Sequence, residues 1–242
     1  MIGNSDNYIS DHNGVNIIID ATSPDKQHAK FNIITHNLEG LCYRNVPAKD
    51  IRFIQVVNNL CTYFEPYINI VPILILQELA LQLHKKDIDK QSRVLQNNME
   101  LILDKLSPIN SNLTATSESY TGCMIYDTTV WECIDFISIN RIGSPKYSNG
   151  YLMKFLACPL LHLWIINIHL KAYGATMKTQ AQINGYHINE LTNIIDTVMT
   201  RNKDEYPIYL CGDFNNGTEK SLLVMESLNL IPHSYKVYLD KK

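Results

Sequence analysis

Short apolar runs rich in β-branched residues alternate with amphipathic stretches from one end of the chain to the other. Runs of the first kind predict buried strands, and apolar residues that recur every three or four positions predict helices. The predicted strands cover residues 14–20, 31–35, 70–77, 120–126, 131–139, 151–158, 162–169 and 206–211. The predicted helices cover about 48–65, 91–106, 181–200 and 219–228.

The connections between these elements predict an α/β fold without a regular βαβ alternation. The polar segment 21–30 contains Ser-Pro-Asp, and its length suits two antiparallel neighbouring strands. The segment 144–150, Ser-Pro-Lys-Tyr-Ser-Asn-Gly, predicts a hairpin turn. Strands joined in this way indicate mixed or antiparallel sheets with helices packed outside them, and we expect one domain over residues 1–242.

The composition is that of a globular protein and leaves the substrate class open. Apolar residues make up 45% and charged residues 19% of the 242 positions, which argues against disorder. The formal net charge is −3, from 21 basic and 24 acidic residues, so the basic excess typical of a dedicated duplex binder is missing. A carboxylate-lined metal site adds negative charge of its own, and the charge balance therefore does not exclude a nucleic-acid substrate.

The cysteines and the apolar segments predict a soluble, cytoplasmic protein with reduced thiols. None of the six cysteines has CxxC spacing, which argues against a structural zinc site. The first residues lack a basic region followed by an apolar run, and the longest apolar stretches are too short or too interrupted to span a bilayer. We expect a monomer without a membrane segment.

Four of the predicted strands end in polar residues that suit a metal-phosphate site. Taken alone, each end has an ordinary explanation, because a Glu after a buried strand is often the first solvated residue and a buried His is often a hydrogen-bonded core residue. The Gly-Asp-Phe-Asn segment is a more specific signal, because two short polar side chains flank a buried aromatic, although a turn would also explain it. The four polar ends are Thr35-His36-Asn37, Gln77-Glu78, Asn167-Ile168-His169-Leu170 and Gly212-Asp213-Phe214-Asn215.

Together, in order and spacing, these motifs resemble those of the endonuclease/exonuclease/phosphatase superfamily. The family is marked by a strand ending in Asn, a Gln-Glu, an Asn-x-His-Leu, a Gly-Asp-x-Asn and a final Ser-Asp-His, and the first four span Asn37 to Asn215 here. The segment 122–126 is similar to its central Gly-x-x-Ile-Tyr/Phe strand. The resemblance implies a four-layer α/β/β/α sandwich of two mixed, mostly antiparallel sheets flanked by helices. It also implies a phosphodiesterase that depends on Mg²⁺, with Mn²⁺ as an alternative ion.

The resemblance implies a set of residues that bind the metal ion and the substrate. Glu78 is the expected principal ligand, and Asn37 and Asp11 would complete or orient the metal shell, since Mg²⁺ prefers oxygen ligands. Asn167 and Lys171 are expected to contact a substrate phosphate.

The resemblance also implies the catalytic residues. Asp213 and His12 would together activate the attacking water. Asn215 would donate a hydrogen bond to a phosphoryl oxygen, and His169 would stabilise or protonate the leaving oxygen.

The family's last motif stands at the wrong end of this chain. Ser10-Asp11-His12 lies near the N-terminus, directly before a predicted strand, and the C-terminal residues contain no such motif. In the family the first and last strands are antiparallel neighbours, an arrangement that tolerates circular permutation. We therefore interpret residues 1–20 as the permuted last motif and strand. A chance tripeptide in a tail and the remnant of a preceding domain are the alternatives.

Two departures from the family pattern keep several functions open. The family's Ile-Asp-Tyr/His-Ile strand, whose Asp supports the site histidine, has no clean copy here, and Asp127 follows Tyr126 in a strand that often carries an Arg. The leading hypothesis is a nuclease or nucleic-acid end-processing enzyme, with DNA or RNA unresolved. The second is a phosphatase or phosphodiesterase of inositol phosphates or lipid headgroups. The third is a catalytically degenerate binding module.

Overall fold

The computed structural model describes residues 15–23, 25–38, 57–58, 60–62, 65–66, 72–79, 88–116, 122–140, 147–171, 179–215, 224–225 and 228. Its long helices are α1 (Ile88–Leu106) and α2 (Gln180–Arg201). Its strands are β1 (Val15–Thr22), β2 (His28–Asn37), β3 (Pro72–Gln77), β4 (Leu113–Thr116), β5 (Gly122–Asp127), β6 (Trp131–Asn140), β7 (Tyr147–Phe155), β8 (His162–His169) and β9 (Ile208–Asp213).

The strands form two mixed sheets. The larger sheet has the order β1-β2-β3-β5-β4, and the smaller sheet has the order β6-β7-β8-β9. Each sheet contains one parallel pair, β2 with β3 and β8 with β9, while the other pairs are antiparallel. Parallel neighbours end at the same edge of their sheet, so each sheet presents two carboxyl ends side by side.

Three apolar cores arrange the helices and sheets in layers. The first packs α1, with Val57 and Leu60, against the larger sheet. The second lies between the two sheets and includes Phe31 and Trp131, whose rings meet edge to face with centroids 5.0 Å apart. The third packs α2 against the smaller sheet. The predicted four-layer α/β/β/α sandwich of two mixed, mostly antiparallel sheets is therefore confirmed.

The start of the chain's described part forms a hairpin, as the sequence predicted. β1 pairs antiparallel with β2 in a register that runs from Val15 opposite Thr35 to Thr22 opposite His28. The connection is shorter than the predicted segment 21–30, because both strands extend into it. Ser23 closes the turn, since its backbone nitrogen donates to the Gln27 carbonyl at 2.9 Å.

The structure differs from the predicted elements at several points. The segment 144–150 is not simply a turn, because β7 begins at Tyr147 and residues 148–150 pair with β6. The predicted strand 206–211 is shifted, since β9 starts at Ile208 and continues through Asp213. β4 was not predicted, because Leu-Thr-Ala-Thr is a short edge strand with only half-buried side chains.

The apolar segments and thiols in the described part of the chain are consistent with packing inside a folded domain. No helix there combines the length and the apolar character needed to cross a membrane. The cysteines at 61, 123, 133, 158 and 211 are free. Burial raises the pKa of the Cys211 thiol to about 12, so this side chain behaves as a small hydrophobe.

Asp127 fixes the turn by which the chain passes from the larger sheet to the smaller one. Its Oδ1 accepts hydrogen bonds from the Thr129 backbone nitrogen at 2.7 Å and the Thr129 hydroxyl at 2.6 Å. Its Oδ2 accepts one from Asn110 Nδ2 at 2.6 Å. Burial opposes the charge of Asp127, but the hydrogen bonds from Thr129 and Asn110 outweigh burial and lower the pKa of the carboxyl.

We predict that Asp127→Ala lowers the free energy of unfolding by about 2 kcal/mol at neutral pH, since hydrogen bonds to a charged acceptor are lost. A folded pKa below the unfolded value means that the part of this contribution that depends on the charge of Asp127 is present above about pH 4 and is lost as the pH falls through the folded pKa. Urea unfolding from neutral to acidic pH measures it, with the exposed Asp104→Ala as the control. A wild-type advantage that stays constant across this pH range would contradict the prediction.

Candidate active site

Two parallel strand pairs bring four of the predicted residues to the same end of the sandwich. Asn37 ends β2 and is the register partner of Gln77, which directly precedes Glu78. His169 ends β8 and is the register partner of Asp213 at the end of β9. Because the inner core packs the two sheets face to face, the polar ends of the larger sheet lie opposite those of the smaller sheet.

The side chains at these strand ends contact one another across the sheets. Asn37 Nδ2 donates a hydrogen bond to Asp213 Oδ2 at 2.8 Å and lies 3.4 Å from Glu78 Oε1. His169 Nε2 lies 3.1 Å from Glu78 Oε1 and 3.9 Å from Asp213 Oδ2. We call these four residues, Asn37, Glu78, His169 and Asp213, the site cluster.

The site cluster has a buried floor and a solvent-accessible carboxylate rim. The His169 side chain is 4% exposed, whereas the Glu78 and Asp213 side chains are 24% and 13% exposed. The short distance to Glu78 indicates that His169 carries a proton on Nε2 and donates it there. His169 Nδ1 is buried and has no hydrogen-bond partner among the residues that the structure describes.

Three residues at the site have positive φ angles. The φ angles are 57° at Glu78, 137° at Gly212 and 47° at Asn215. The Asn215 backbone nitrogen donates to Asp213 Oδ1 at 2.8 Å, and its Nδ2 donates to the Leu170 carbonyl at 2.7 Å. Asn215 thus orients Asp213 and ties the end of β9 to the end of β8. Its predicted hydrogen bond to a phosphoryl oxygen would use the second hydrogen of the same amide.

Asn167, which the sequence predicts to contact a substrate phosphate, is a buried residue in the structure. It is 3% exposed, its Oδ1 accepts from Gln77 Nε2 at 2.9 Å, and its Nδ2 donates to the Leu76 carbonyl at 3.1 Å. The amide therefore lies between the sheets, one layer beneath the site cluster. This placement does not support the predicted contact with a substrate phosphate, because the amide is directed away from solvent.

The remaining predicted residues are placed as follows. Lys171 is exposed and follows Leu170, whose backbone nitrogen donates to the Asp213 carbonyl at 2.8 Å. Asp11 and His12 lie outside the described residues, and their roles stay predictions.

His187 is not among the predicted site residues, although its ring contacts the segment that follows β8. This side chain is 1% exposed, and its Nε2 lies 3.0 Å from the Lys171 carbonyl, which ties α2 to the segment after β8. The only sequence signal is its spacing of four residues from the buried Ile183 and Leu191 on the inner side of the helix.

The donor chemistry of the site cluster fits Mg²⁺. Within the described ranges, no group of three or more His, Cys, Asp or Glu is arranged to hold a metal ion. The available oxygen donors are the carboxylates of Glu78 and Asp213 and the amide of Asn37. Mg²⁺ binds through one or two carboxylates and keeps water or phosphate ligands, so it does not require an enclosed cage of side chains. A structural zinc ion would require such a cage.

Gly212 is required by the close approach of β9 to β8. A Cβ built at this position would lie 1.9 Å from the Ile168 carbonyl oxygen, and the φ angle of 137° is unfavourable for any other residue. Ile168 and Gly212 are register partners directly before His169 and Asp213. A side chain here would separate the two strands that carry half of the site cluster.

We predict that Gly212→Ala lowers the free energy of unfolding by about 3 kcal/mol, because backbone rather than a flexible side chain must move. The control is Gly185→Ala, since nothing lies within 4 Å of a Cβ built at this helical position. The control should gain up to about 1 kcal/mol from better helix propensity. Thermal and urea unfolding of both variants measure the difference. Equal stabilities would show that the close approach of β9 to β8 does not require a glycine at position 212.

Comparisons with known proteins identify the fold. A scan against protein-family models and a search of curated proteins found no match. Among solved structures, the chain is similar to an endonuclease/exonuclease/phosphatase family protein from Bacteroides thetaiotaomicron, with a TM-score of 0.56 and 11% identity over 82% of this chain and 68% of that chain. It is similar to the human Nocturnin catalytic domain, with a TM-score of 0.51 and 13% identity over 89% and 73% of the two chains. A Bacteroides vulgatus protein described as an endonuclease/exonuclease/phosphatase matches with a TM-score of 0.50 and 11% identity over 89% and 72%. The chain therefore has the fold of the endonuclease/exonuclease/phosphatase proteins.

Proposed function

We propose that this protein is a Mg²⁺-dependent phosphodiesterase that acts on a nucleic acid. The observation that carries the proposal is the site cluster, in which two partly exposed carboxylates, an amide and a buried histidine meet across the two sheets. Hydrolysis of a phosphodiester needs stabilisation of charge on the phosphoryl and leaving oxygens, an oriented water and a hydrogen-bond donor at the leaving oxygen. The site cluster contains side chains suited to each of these tasks.

The carboxylate rim suits binding of the metal ion. When bound, Mg²⁺ supplies positive charge that offsets the charge developing on the phosphate oxygens. Glu78 is the expected principal ligand, because it directly follows the rigid strand β3 and its carboxylate is 24% exposed. Asn37 and Asp11 are expected to complete or orient that shell.

Asp213 and His169 are suited to the two proton-handling tasks. Both oxygens of Asp213 are already oriented, Oδ1 by the Asn215 backbone and Oδ2 by Asn37, so the carboxylate can hold a water in one direction. We expect His12 to assist it. His169 Nε2 carries the hydrogen now directed at Glu78, and we expect this hydrogen to stabilise or protonate the leaving oxygen when substrate is bound.

The position of β1 supports the proposed circular permutation. β1 is antiparallel to β2, and its first residue, Val15, pairs with Thr35, two residues before Asn37. The strand thus begins at the site end of the larger sheet. His12 precedes Val15 by three residues, a span that an extended chain bridges over about 10 Å.

A nucleic-acid backbone is the substrate class that we favour. The carboxylates of Glu78 and Asp213 lie at strand ends and are 24% and 13% exposed, a position that suits contact with a polymer backbone. Lys171 is exposed beside it and can contact a phosphate adjacent to the scissile one. Phosphorylated inositols and lipid headgroups present the same phosphate chemistry, and a direct substrate comparison separates these classes.

We predict that the purified protein cleaves bis(p-nitrophenyl) phosphate with Mg²⁺ and not with EDTA, and that Asp213→Asn lowers kcat by about 10³-fold or more. The control is Asp196→Asn on the exposed side of α2, which should leave turnover unchanged. Single-stranded DNA, RNA, poly(A) and inositol phosphates then identify the substrate. Undiminished turnover in Asp213→Asn would contradict the mechanism, and inactivity of the wild type on every substrate would favour a binding module.

We predict that His12→Ala lowers kcat by about 10²-fold or more without a change in melting temperature, because His12 would act with Asp213 on the attacking water. His28→Ala provides a matched control, since His28 is exposed at the start of β2, at the opposite end of the hairpin from Asn37. Steady-state kinetics of the two variants give the comparison. Full activity of His12→Ala would mean that Ser-Asp-His is a chance tripeptide.

A further inference from the structure

A group of buried amides joins the two sheets directly beneath the site cluster. Gln77 on β3 and Asn167 on β8 are 2% and 3% exposed, and Thr35 on β2 is 8% exposed. Gln77 Nε2 donates to Asn167 Oδ1 at 2.9 Å and to Thr35 Oγ1 at 3.0 Å. We call Thr35, Gln77 and Asn167 the amide bridge.

Asn167 of β8 contacts β3 at two points. These two contacts fix the position of β8 along β3 as well as the distance between the two strands. Asn167 Oδ1 accepts from the Gln77 side chain, and Asn167 Nδ2 donates to the Leu76 backbone carbonyl at 3.1 Å. Hydrogen bonds are directional, whereas the apolar contacts of the inner core are not. A small slide of β8 along β3 would therefore break at least one of these bonds, although it would disturb the apolar core little.

Gly122 leaves the space that the amide bridge occupies. A Cβ built at this position on β5 would lie 2.7 Å from Asn167 Nδ2 and 2.7 Å from the Leu76 carbonyl oxygen. Gly122 is the register partner of Gln77 in the neighbouring strand. Three strands of the larger sheet therefore surround the same amides. Thr35 of β2 and Gln77 of β3 contribute hydrogen bonds, and Gly122 of β5 leaves room for the Asn167 side chain.

The amide bridge is connected to the site cluster on both sheets. Gln77 directly precedes Glu78, and Asn167 lies two residues before His169 on the same face of β8. Glu78 and His169 form the cross-sheet contact of 3.1 Å. Any change in the offset between β3 and β8 therefore changes the distance between the expected metal ligand and the expected leaving-group donor.

We propose that the amide bridge is a positioning device that sets the offset between the two halves of the active site. Gln77 and Asn167 are positioning residues, because they act through Glu78 and His169 and do not touch substrate. The inference rests on the proposed phosphodiesterase function. A purely structural role would require only that the buried amides form hydrogen bonds with each other. A double substitution distinguishes this structural role from the positioning role.

The test is the double variant Gln77→Met with Asn167→Leu, in which both partners become apolar groups of similar size. Replacing both partners of a buried hydrogen bond can be nearly neutral for stability, but the Leu76 carbonyl and the Thr35 hydroxyl also lose a donor here, so we expect a small fall in melting temperature. The single variant Asn167→Leu should melt lower, because Gln77 then loses one of its two side-chain acceptors and keeps only Thr35 Oγ1. For bis(p-nitrophenyl) phosphate with Mg²⁺, kcat of the double variant should fall about 10²-fold with KM unchanged.

A second readout does not depend on turnover. Mn²⁺ binding followed by electron paramagnetic resonance should weaken by about 10-fold or more in the double variant, as expected when groups that support a metal ligand are altered. The control is Asn110→Ala, which removes a partly buried amide contact to Asp127 at the opposite end of β5. The control should lower stability and leave both kcat and Mn²⁺ affinity unchanged.

The outcomes distinguish failure of this inference from failure of the proposed function. An active wild type with equal kcat and equal Mn²⁺ affinity in the double variant overturns the positioning role and leaves the proposed function intact. A wild type that neither turns over substrate nor binds Mn²⁺ removes the proposed function, and the inference with it. Should the double variant not fold, Thr35→Val decides, because it removes one acceptor of Gln77 at nearly constant volume. An unchanged kcat in that variant overturns the inference, and a lowered kcat at unchanged melting temperature supports it.

Discussion

The space between the two sheets changes from apolar to charged within a few residues along each strand. The site depends on the buried polar side chains that lie between the apolar core and the charged residues. Side chains on the inner face recur every second residue, so the same strands supply successive layers. Isoleucines at 33, 75 and 165 are almost fully buried on this inner face. The amide bridge follows, with its polar atoms satisfied across the gap, and the site cluster comes last, where water reaches the carboxylates. Carboxylates placed one layer deeper would lose their hydration at a cost of several kcal/mol each.

This layering explains why the strand ends could be predicted from the sequence. Each apolar run ends in a polar residue where its strand leaves the core, at Asn37, Gln77-Glu78, His169 and Asp213. These ends can therefore be predicted from the local sequence alone. The resemblance to a known family then predicted that the four strand ends belong to one site. The comparison with solved structures supports the fold that the resemblance implied. What holds the ends together is not local. The parallel pairing of β2 with β3 and of β8 with β9 joins residues about 40 positions apart, and no single segment encodes it.

The sequence did not show how deeply each polar residue is buried between the two sheets. Asn167 and His169 lie on the same face of one strand and look alike as polar positions in an apolar run. Their surroundings differ, because Asn167 meets the Leu76 carbonyl and the space at Gly122, and both belong to other strands. The same limitation affected the segment 144–150, whose composition is typical of a turn although pairing with β6 draws its second half into β7. In each case tertiary contacts outweighed the local pattern.

The central claim is that strand ends from two sheets form one divalent-metal site, and anomalous diffraction from crystals soaked in Mn²⁺ tests it most directly. The claim predicts a single strong anomalous peak within bonding distance of the Glu78 carboxylate, on the solvent side of the contact with His169. A peak elsewhere on the molecule, or no peak while the side chains of the site cluster remain well ordered, would contradict it.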